Sequence, residues 1–335
     1  MIQQKKSFDT ASLATLSLRL VVGWTYFSAF WRRLILENKL IPEEAGYIGE
    51  KFNHFLPNSL GLKPIIEYLV THPEALWYAM VTFTIVEGIV GLALILGFFT
   101  RLMSIGIFLL AFGILLASGW IGTTCLDEWQ IGILGLAARF TLFLTGSNYL
   151  SLDSYFISRK LPFTKTKWFK FLGSGPLNLV ANKRLILVTA AFITGLTLYT
   201  NQYFHGGVFG TLHNKSVKPK LEISNFKMQN TEMSFDVYRV EGVDVYGSFL
   251  IGISLQDSSG KYLLQLHGAD LAKLPATTID NHYVAKIKPG AHSLIIPLGA
   301  KATMRLPIDH KKTSDKEHYT LTLTDISGLT WSARL

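Results

Sequence analysis

Five long apolar runs are the feature that most limits what this chain can fold into. A helix needs roughly 20 apolar residues to cross the hydrocarbon core of a bilayer. Hydrophobic residues make up 49% of the 335 positions and charged residues only 16%, which is too apolar for an ordinary soluble domain of this length. The sequence therefore predicts a membrane protein with five transmembrane helices, at about Ala11 to Leu34, Leu76 to Phe99, Leu102 to Ile121, Trp129 to Leu144 and Leu185 to Tyr203.

The first apolar run resembles a signal peptide only in part. It follows Lys5 and Lys6, but it contains Arg19 and ends in "FWRR" without a small-residue cleavage site. We expect this run to be retained as a transmembrane helix.

The loop charges predict the orientation in the membrane. Cytoplasmic loops are enriched in Lys and Arg, and the segment between the fourth and fifth runs is basic, with Asp153 as its lone acid. Arg101 in the short second connection agrees, and the long first connection, Glu37 to Ala75, is acid-rich. We therefore assign the net charge of +9 to membrane orientation and predict no nucleic-acid partner. The expected location is a bacterial inner (cytoplasmic) membrane, with the N-terminus cytoplasmic and everything after Tyr203 periplasmic. The basic residues are Arg159, Lys160, Lys165, Lys167, Lys170, Lys183 and Arg184.

The pattern changes to period two from about Val217. Short β-rich runs such as "MSFDVYRV" and "HYTLTLTDISGLTWSARL" alternate with turns such as "DSSGK", which is typical of an antiparallel Ig-like sandwich. The predicted fold is a membrane α-helical bundle, with a four-helix core plus a fifth transmembrane helix, followed by an extracytoplasmic all-β domain. The expected boundaries are 1–150 for the four-helix domain, 151–184 for a basic cytoplasmic linker, 185–204 for the fifth helix and 205–335 for the sandwich.

The first connection is divided by prolines. Its apolar residues recur loosely at helical spacing, and Pro57, Pro64 and Pro73 separate it into short pieces. A lid on the membrane surface and an ordinary structured loop both fit this pattern.

Two places on the predicted outer face carry reactive residue types. Arg32 and Arg33 end the first run beside Trp24, either as interfacial anchors or as forked donors for an oxyanion. The stretch "GWIGTTCLDEWQIG" contains the only cysteine, Cys125, which is either a small buried filler or a thiolate favoured by nearby cations and a helix N-terminus. Asp127 and Glu128 either cap the following helix or act in chemistry near its N-terminus.

Charges inside the predicted spans form a second group of candidates. Glu87 and Arg139 both lie roughly 15 Å from the outer ends of their helices at 1.5 Å per residue. Buried charges in a membrane are costly and tend to pair, so we predict a Glu87–Arg139 pair, as a structural clamp or as part of a proton path. Arg19 is a third such charge. The glycines Gly88, Gly91, Gly106 and Gly113 are expected to permit close helix packing.

Several common cofactor motifs are absent from the sequence. It has no GxGxxG before a helix, no P-loop and no CxxC pair, and its nine histidines lie outside the spans without a metal-binding spacing. We predict no metal and no tightly bound cofactor. A redox enzyme of this kind would need a diffusible electron acceptor, for which a membrane quinone is the natural candidate.

Three stretches resemble a known family. "LRLVVGWTYFSAFWRR", "VEGIVGLALILGFFTRL" and "CLDEWQIGILGLAARFTLFLTGSNYLSLD" resemble the DoxD subunit of thiosulfate:quinone oxidoreductase, and the tail ending "LTLTDISGLTWSARL" is similar to its DoxA partner. The resemblance covers nearly the whole chain, as a fusion of the two subunits. It implies oxidation of two thiosulfates to tetrathionate with reduction of menaquinone or ubiquinone.

The chemistry of the residues suggests roles within that reaction. We expect Arg32 and Arg33 to hold the thiosulfate sulfonate, and a Cys125 thiolate to be joined to the outer sulfur before a second thiosulfate releases tetrathionate. Trp129, Gln130 and Trp24 would form a wall between the anion and the quinone ring. Arg19, Glu87 and Arg139 would serve quinone binding or remain intramembrane charges.

Two functions of other classes also fit the sequence. The chain could transport a sulfur oxyanion along a path lined by Arg19, Glu87 and Arg139, or it could be a non-catalytic accessory subunit of a respiratory or sulfur-oxidising complex. The expected partners are thiosulfate, the quinone pool and the lipid bilayer, and a homo-oligomer or a respiratory-chain partner remains open.

Overall fold

The chain folds into two compact units, each described by itself. A computed structural model describes residues 9–42, 44, 46–119, 127–175, 177, 182–206, 208–212, 218–229, 231–242, 248–308 and 318–335. The helical unit consists of Met1–Ile48, Trp77–Leu116 and Glu128–Thr211, and the β unit of Gly49–Leu76, Ala117–Asp127 and Leu212–Leu335.

Helices form in all five predicted apolar runs. Three of them, at the second, third and fifth runs, are long and apolar enough to cross a membrane. The first helix is extended by a π-helical segment, Trp31–Leu36, and the fourth carries Asp127, Glu128 and Arg139. Numbered along the chain, the α-helices are α1 (Leu16–Phe30), α2 (Gly49–Phe55), α3 (Lys63–Thr71), α4 (Pro73–Leu96), α5 (Thr100–Ser118), α6 (Asp127–Thr145), α7 (Leu152–Ser158), α8 (Lys167–Leu172), α9 (Lys183–Phe204) and α10 (Gly268–Leu271); short 3-10 helices cover Pro162–Lys165 and Ala276–Thr278.

Helices α1, α4, α5 and α6 form the four-helix core that the sequence predicts. Gly91 of α4 packs against Gly23 of α1, and Gly135 of α6 packs against Ala111 of α5. The ring closes where the Thr15 hydroxyl donates to Thr145 Oγ1, 3.2 Å away. Neighbouring helices run antiparallel, and their shared core contains Val22, Tyr26, Val90, Leu94, Ile107 and Leu142.

The fifth helix, α9, packs beside this core. Trp129 Nε1 of α6 donates to Thr200 Oγ1 of α9 at 3.0 Å, and the Trp129 ring makes an edge contact with His205, with ring centroids 5.7 Å apart. These contacts hold the end of α9 beside the beginning of α6.

Glycines bring α1 and α4 into close contact. A Cβ on Gly88 would lie 2.6 Å from the Phe30 ring, and one on Gly91 would overlap the backbone nitrogen of Phe27. Membrane helices commonly approach one another through such small residues. The predicted packing role is confirmed for Gly88 and Gly91, whereas a Cβ on Gly113 would meet no atom within 4 Å.

We predict that Gly91→Ala destabilises the helical unit and that Gly113→Ala does not. Both changes raise helix propensity equally, but only the first forces α1 and α4 apart. The fraction of monodisperse protein after graded heating in detergent should fall clearly earlier for Gly91→Ala. Equal heat resistance of the two variants would contradict the role of this contact.

The β unit is a two-sheet antiparallel sandwich, as predicted. One sheet has the order β1-β2-β8-β5, and the other has β10-β9-β3-β7-β6 with β4 also paired to β3. Both sheets contribute to one core, with Phe235 and Met304 from the first and Leu255 and Leu323 from the second. The strands are β1 (Lys220–Gln229), β2 (Glu232–Glu241), β3 (Ser248–Gln256), β4 (Tyr262–His267), β5 (Ile279–Asn281), β6 (Lys288–Pro289), β7 (Leu294–Ile296), β8 (Lys301–Pro307), β9 (Thr320–Asp325) and β10 (Thr330–Arg334).

The connection between α1 and α4 contributes to the β unit. Leu56, Ile66 and Val70 of this connection share a small core with Tyr283 of the β-sandwich. The side chain of Asn53, fully buried, donates to Gly299 O at 2.6 Å and accepts from Ala285 N at 3.3 Å. Residues 49–76 therefore form a structured part of the β unit, which was one of the two alternatives that the sequence left open.

Tyr283 fixes the same connection through its hydroxyl. The Tyr283 hydroxyl donates to Glu67 Oε1 at 2.9 Å. Burial raises the pKa of Tyr283, and the hydrogen bond to Glu67 raises it further. The phenol therefore remains a donor across the neutral pH range.

Replacing Asn53 should loosen the connection. In Asn53→Leu the buried Gly299 carbonyl and Ala285 N–H lose their partner, at a cost of about 1–3 kcal/mol for each unsatisfied group. We expect a lower midpoint of thermal unfolding and faster proteolysis within residues 49–76. Glu50→Ala, an exposed change on the same helix α2, serves as the control and should match the parent; an unchanged Asn53→Leu would contradict the anchoring role.

Candidate functional site

An ion pair lies inside the helical bundle. Arg33, in the π-helical segment after α1, pairs through Nη1 with Glu87 Oε2 of α4. Glu87 is only 3% exposed. At 1.5 Å rise per residue it lies roughly 21 Å along α4 from Pro73 and roughly 14 Å from Leu96. The Arg33 side chain therefore extends into the apolar interior.

The structure corrects the predicted pair of Glu87 with Arg139. In the ring of helices, α4 and α6 lie diagonally opposite, and α1 is adjacent to both. The close packing of α1 on α4 through Gly88 and Gly91 brings Arg33 over Glu87. The partner of Glu87 is therefore the cation on the adjacent helix.

Arg139 instead faces Tyr26 of α1. Its guanidinium carbon lies 4.8 Å from the centroid of the Tyr26 ring, and Nη1 donates to Gly135 O at 3.0 Å. Both residues are 4% exposed. Within the described part of the chain, neither Arg139 Nε nor the Tyr26 hydroxyl has a hydrogen-bond partner.

Arg33, Glu87, Tyr26 and Arg139 together form what we term the buried charge cluster. The first helix contributes to both halves, with Arg33 of its π-helical extension on Glu87 and Tyr26 of α1 on Arg139. Buried polar groups are normally hydrogen-bonded, so the two unpartnered donors mark a place where a polar ligand atom or water fits. The predicted quinone-binding residues Glu87 and Arg139 both belong to this cluster.

The two adjacent arginines have different surroundings. Arg33 is charge-compensated by Glu87, whereas Arg32 is exposed and uses Nε to donate to Ser28 O at 3.2 Å. The sequence predicts that both arginines hold one anion. In the structure, Arg32 is the accessible cation of the two, and Arg33 lies deeper.

The residues of the predicted aromatic wall do not share one environment. Trp24 is 57% exposed on the surface of α1, and Gln130 is exposed on α6. Trp129 is buried against α9, with its indole N–H engaged by Thr200. The contacts of Trp129 assign it to the packing of α9 on the core.

The predicted nucleophile lies outside the described residues. Cys125 belongs to the undescribed residues 120–126, and Asp127 is the first residue of α6, with no description of its side chain. Glu128 is half-buried in the first turn of α6. The proposed chemistry of Cys125, Asp127 and Glu128 therefore remains a prediction.

Arg19 has a structural environment at the opposite end of the bundle. It is 3% exposed and donates to Tyr149 O at 3.1 Å and Leu150 O at 2.6 Å. These carbonyls follow the end of α6. Arg19 thus holds the chain after α6 against α1.

Arg101 and Asp153 are buried residues that the sequence reasoning used only as indicators of orientation. Arg101, fully buried, donates to the carbonyls of Phe143, Lys170 and Gly175 at 2.7–2.9 Å. It therefore ties the end of α6 to the loop around α8. The available signal was the position of Arg101 directly after a helix break.

Asp153 closes the connection between α4 and α5. It accepts hydrogen bonds from the backbone N–H groups of Phe99 and Thr100 at 2.9 and 3.1 Å, and from the Ser174 hydroxyl at 2.7 Å. Burial raises the pKa of Asp153, and the hydrogen bonds from Ser174, Thr100 and Phe99 offset part of that rise. Asp153 is thus a cap for the N-terminus of α5.

The described residues contain no group of three His, Cys, Asp or Glu side chains placed to hold a metal ion. A bundle with helices long and apolar enough to cross a membrane and with a buried charge cluster, joined to a β-sandwich, defines the protein as a membrane protein with an appended globular domain. Residues 14–181 match the family described as TQO small subunit DoxD, and residues 204–334 match the family described as TQO small subunit DoxA. The chain belongs to the DoxD family and carries its DoxA counterpart in the same polypeptide. It is therefore a component of a thiosulfate:quinone oxidoreductase.

The Arg33–Glu87 pair should be essential for stability. In Arg33→Ala the buried Glu87 carboxylate loses its partner, and breaking a buried pair in this way costs about 3–5 kcal/mol. We expect a much lower unfolding midpoint in detergent than for the adjacent exposed change Arg32→Ala. The double variant Arg33→Met with Glu87→Leu removes both charges and should recover most of the loss; equal stability of Arg33→Ala and Arg32→Ala would contradict the pairing.

Proposed function

We propose that this protein oxidises thiosulfate to tetrathionate and passes the electrons to membrane quinone. The observation that carries the proposal is the presence of both small-subunit families, DoxD and DoxA, in one chain. Two thiosulfate dianions, one quinone and two protons give one tetrathionate dianion and one quinol. Each thiosulfate supplies one electron, and a new bond joins the two outer sulfur atoms.

The accessible Arg32 is the group we assign to thiosulfate binding. A guanidinium presents planar, forked donors that match the oxygens of a sulfonate group. Arg32 lies at the end of the bundle where α6 begins and α9 finishes. An anion held there would approach the buried charge cluster through the neighbouring Arg33.

Cys125 offers a covalent route for the oxidation. Its thiolate joins the outer sulfur of one thiosulfate while two electrons pass to the quinone, which takes up two protons. The second thiosulfate then attacks the sulfur that came from the first thiosulfate and is bonded to the Cys125 sulfur. This step releases tetrathionate and restores the Cys125 thiolate. Direct joining of two bound thiosulfates is the alternative route.

The proposed orientation follows from the distribution of basic residues. Residues 151–184, which carry seven Lys and Arg side chains, lie at the end of the bundle where α6 finishes and α9 begins. The positive-inside tendency supports a location of that end on the cytoplasmic side of a bacterial inner membrane. The end with Arg32 is then periplasmic, as is the β unit that follows α9.

Thiosulfate-dependent reduction of a short-chain quinone by the purified protein tests the proposal. We expect turnover in the parent, a loss of at least tenfold in kcat/KM for thiosulfate in Arg32→Ala, which corresponds to about 1.4 kcal/mol, and no turnover in Cys125→Ala on the covalent route. A mass adduct on Cys125 after thiosulfate treatment would support that route. Full activity of Cys125→Ala would eliminate it in favour of direct joining.

An accessory role is the second candidate, because both matched families are described as small subunits. A small subunit can require a further partner for catalysis. Absence of turnover with any quinone, in protein shown to be folded, would favour this role. Thiosulfate flux into liposomes without quinone would indicate transport instead.

A further inference from the structure

An apolar cavity of about 370 Å³ lies in the helical unit between α5, α6, α8 and α9. Its volume is within the range of small-molecule sites in proteins. Four phenylalanines dominate the lining, and the cavity lies in the half of the bundle where α5 and α9 begin and α6 ends. Residues that define it are Ile105, Phe108, Arg139, Phe140, Phe143 and Phe171.

Among the described residues that line this cavity, Arg139 is the charged one. It is 4% exposed, its Nε has no partner among the described residues, and no described carboxylate lies within 4.0 Å of its guanidinium. A cation without a carboxylate partner is costly in a membrane interior and is by default a candidate for a functional role. Arg139 is therefore a buried cation whose side chain also forms part of the lining of an apolar cavity.

We propose that this cavity binds the headgroup of the quinone, with Arg139 donating to one of its carbonyl oxygens. The inference rests on the proposed function, which requires a lipid-soluble electron acceptor. The phenylalanine side chains offer edge and face contacts to a flat ring. The guanidinium would stabilise the negative charge that develops on the carbonyl oxygen during reduction.

The combination of groups favours a quinone over a lipid. An acyl chain uses only the apolar lining and offers no acceptor to Arg139, whereas a charged phospholipid headgroup would lie mostly against phenylalanine side chains. A quinone suits both the apolar lining and Arg139, because its carbonyl accepts a hydrogen bond while its ring and isoprenoid tail are apolar. Arg139 also contacts Tyr26, so a quinone at this place lies beside the buried charge cluster.

A matched pair of tryptophan substitutions on α5 tests this assignment. Ile105 lines the cavity, whereas Leu109, one turn further along α5, is 61% exposed and lies outside it. Ile105→Trp fills the chamber and Leu109→Trp does not. The probe is a photoreactive azido derivative of 2-methyl-1,4-naphthoquinone, with the labelled peptides mapped by mass spectrometry and no thiosulfate present.

We expect saturable labelling within residues 139–144 or 182–189 of the parent and of Leu109→Trp. In Ile105→Trp the apparent Kd should rise about tenfold or more, and in Arg139→Gln it should rise while the protein remains folded. Labelling elsewhere, equal binding by Ile105→Trp, or displacement by phospholipid but not by unlabelled quinone would overturn the assignment.

The same variants separate this inference from the proposed function. If Ile105→Trp leaves both kcat and the KM for quinone unchanged, the cavity is not the quinone site, and the proposed reaction stands. Labelling of the cavity in a folded parent that oxidises no thiosulfate would retain the quinone site and overturn the reaction.

Discussion

A charge inside a membrane bundle must be compensated within the bundle, and this requirement governs the arrangement of α1, α4 and α6. Glu87 is buried far from both ends of α4. Arg33, in the segment that extends the adjacent helix, supplies the compensating positive charge. That reach depends on the small residues Gly88 and Gly91, which let α1 lie directly on α4. The ion pair and the glycine contact are thus two parts of one constraint, since loosening the helix contact would separate the charges.

In the β unit, a few hydrogen bonds hold the connection between α1 and α4 to the sandwich. In addition to the apolar side chains of the connection between α1 and α4, Asn53 supplies both a donor and an acceptor to backbone groups of the sandwich. Tyr283 adds a bond to Glu67. Because the Asn53 side chain is fully buried, breaking its hydrogen bonds leaves unsatisfied groups and costs more than forming them contributes. The connection is therefore held by a few specific contacts around a small apolar core.

The apolar runs and the period-two tail were sufficient to predict the helices, the four-helix core and the sandwich, because hydrophobic periodicity acts locally. The pairing of side chains between helices is harder to predict from the sequence. Depth along the spans favours Arg139 as a partner for Glu87, but the sequence does not show that Arg33 reaches Glu87 while Arg139 faces Tyr26. Arg101 and Asp153 were interpreted as loop charges, since sequence cannot show that three carbonyls and two backbone N–H groups converge on them.

If the cavity binds the quinone as proposed, its position would have an energetic consequence for the cell. On the proposed orientation it lies in the cytoplasmic half of the bundle, near the beginning of α9, whereas Arg32 lies at the periplasmic end. Oxidation of thiosulfate releases electrons and no protons, and a quinone reduced in this cavity would take its two protons from the nearer, cytoplasmic side. Each turnover would then move two electrons inward to meet two cytoplasmic protons. Sulfur oxidation by this protein would be electrogenic and would itself contribute to the membrane potential.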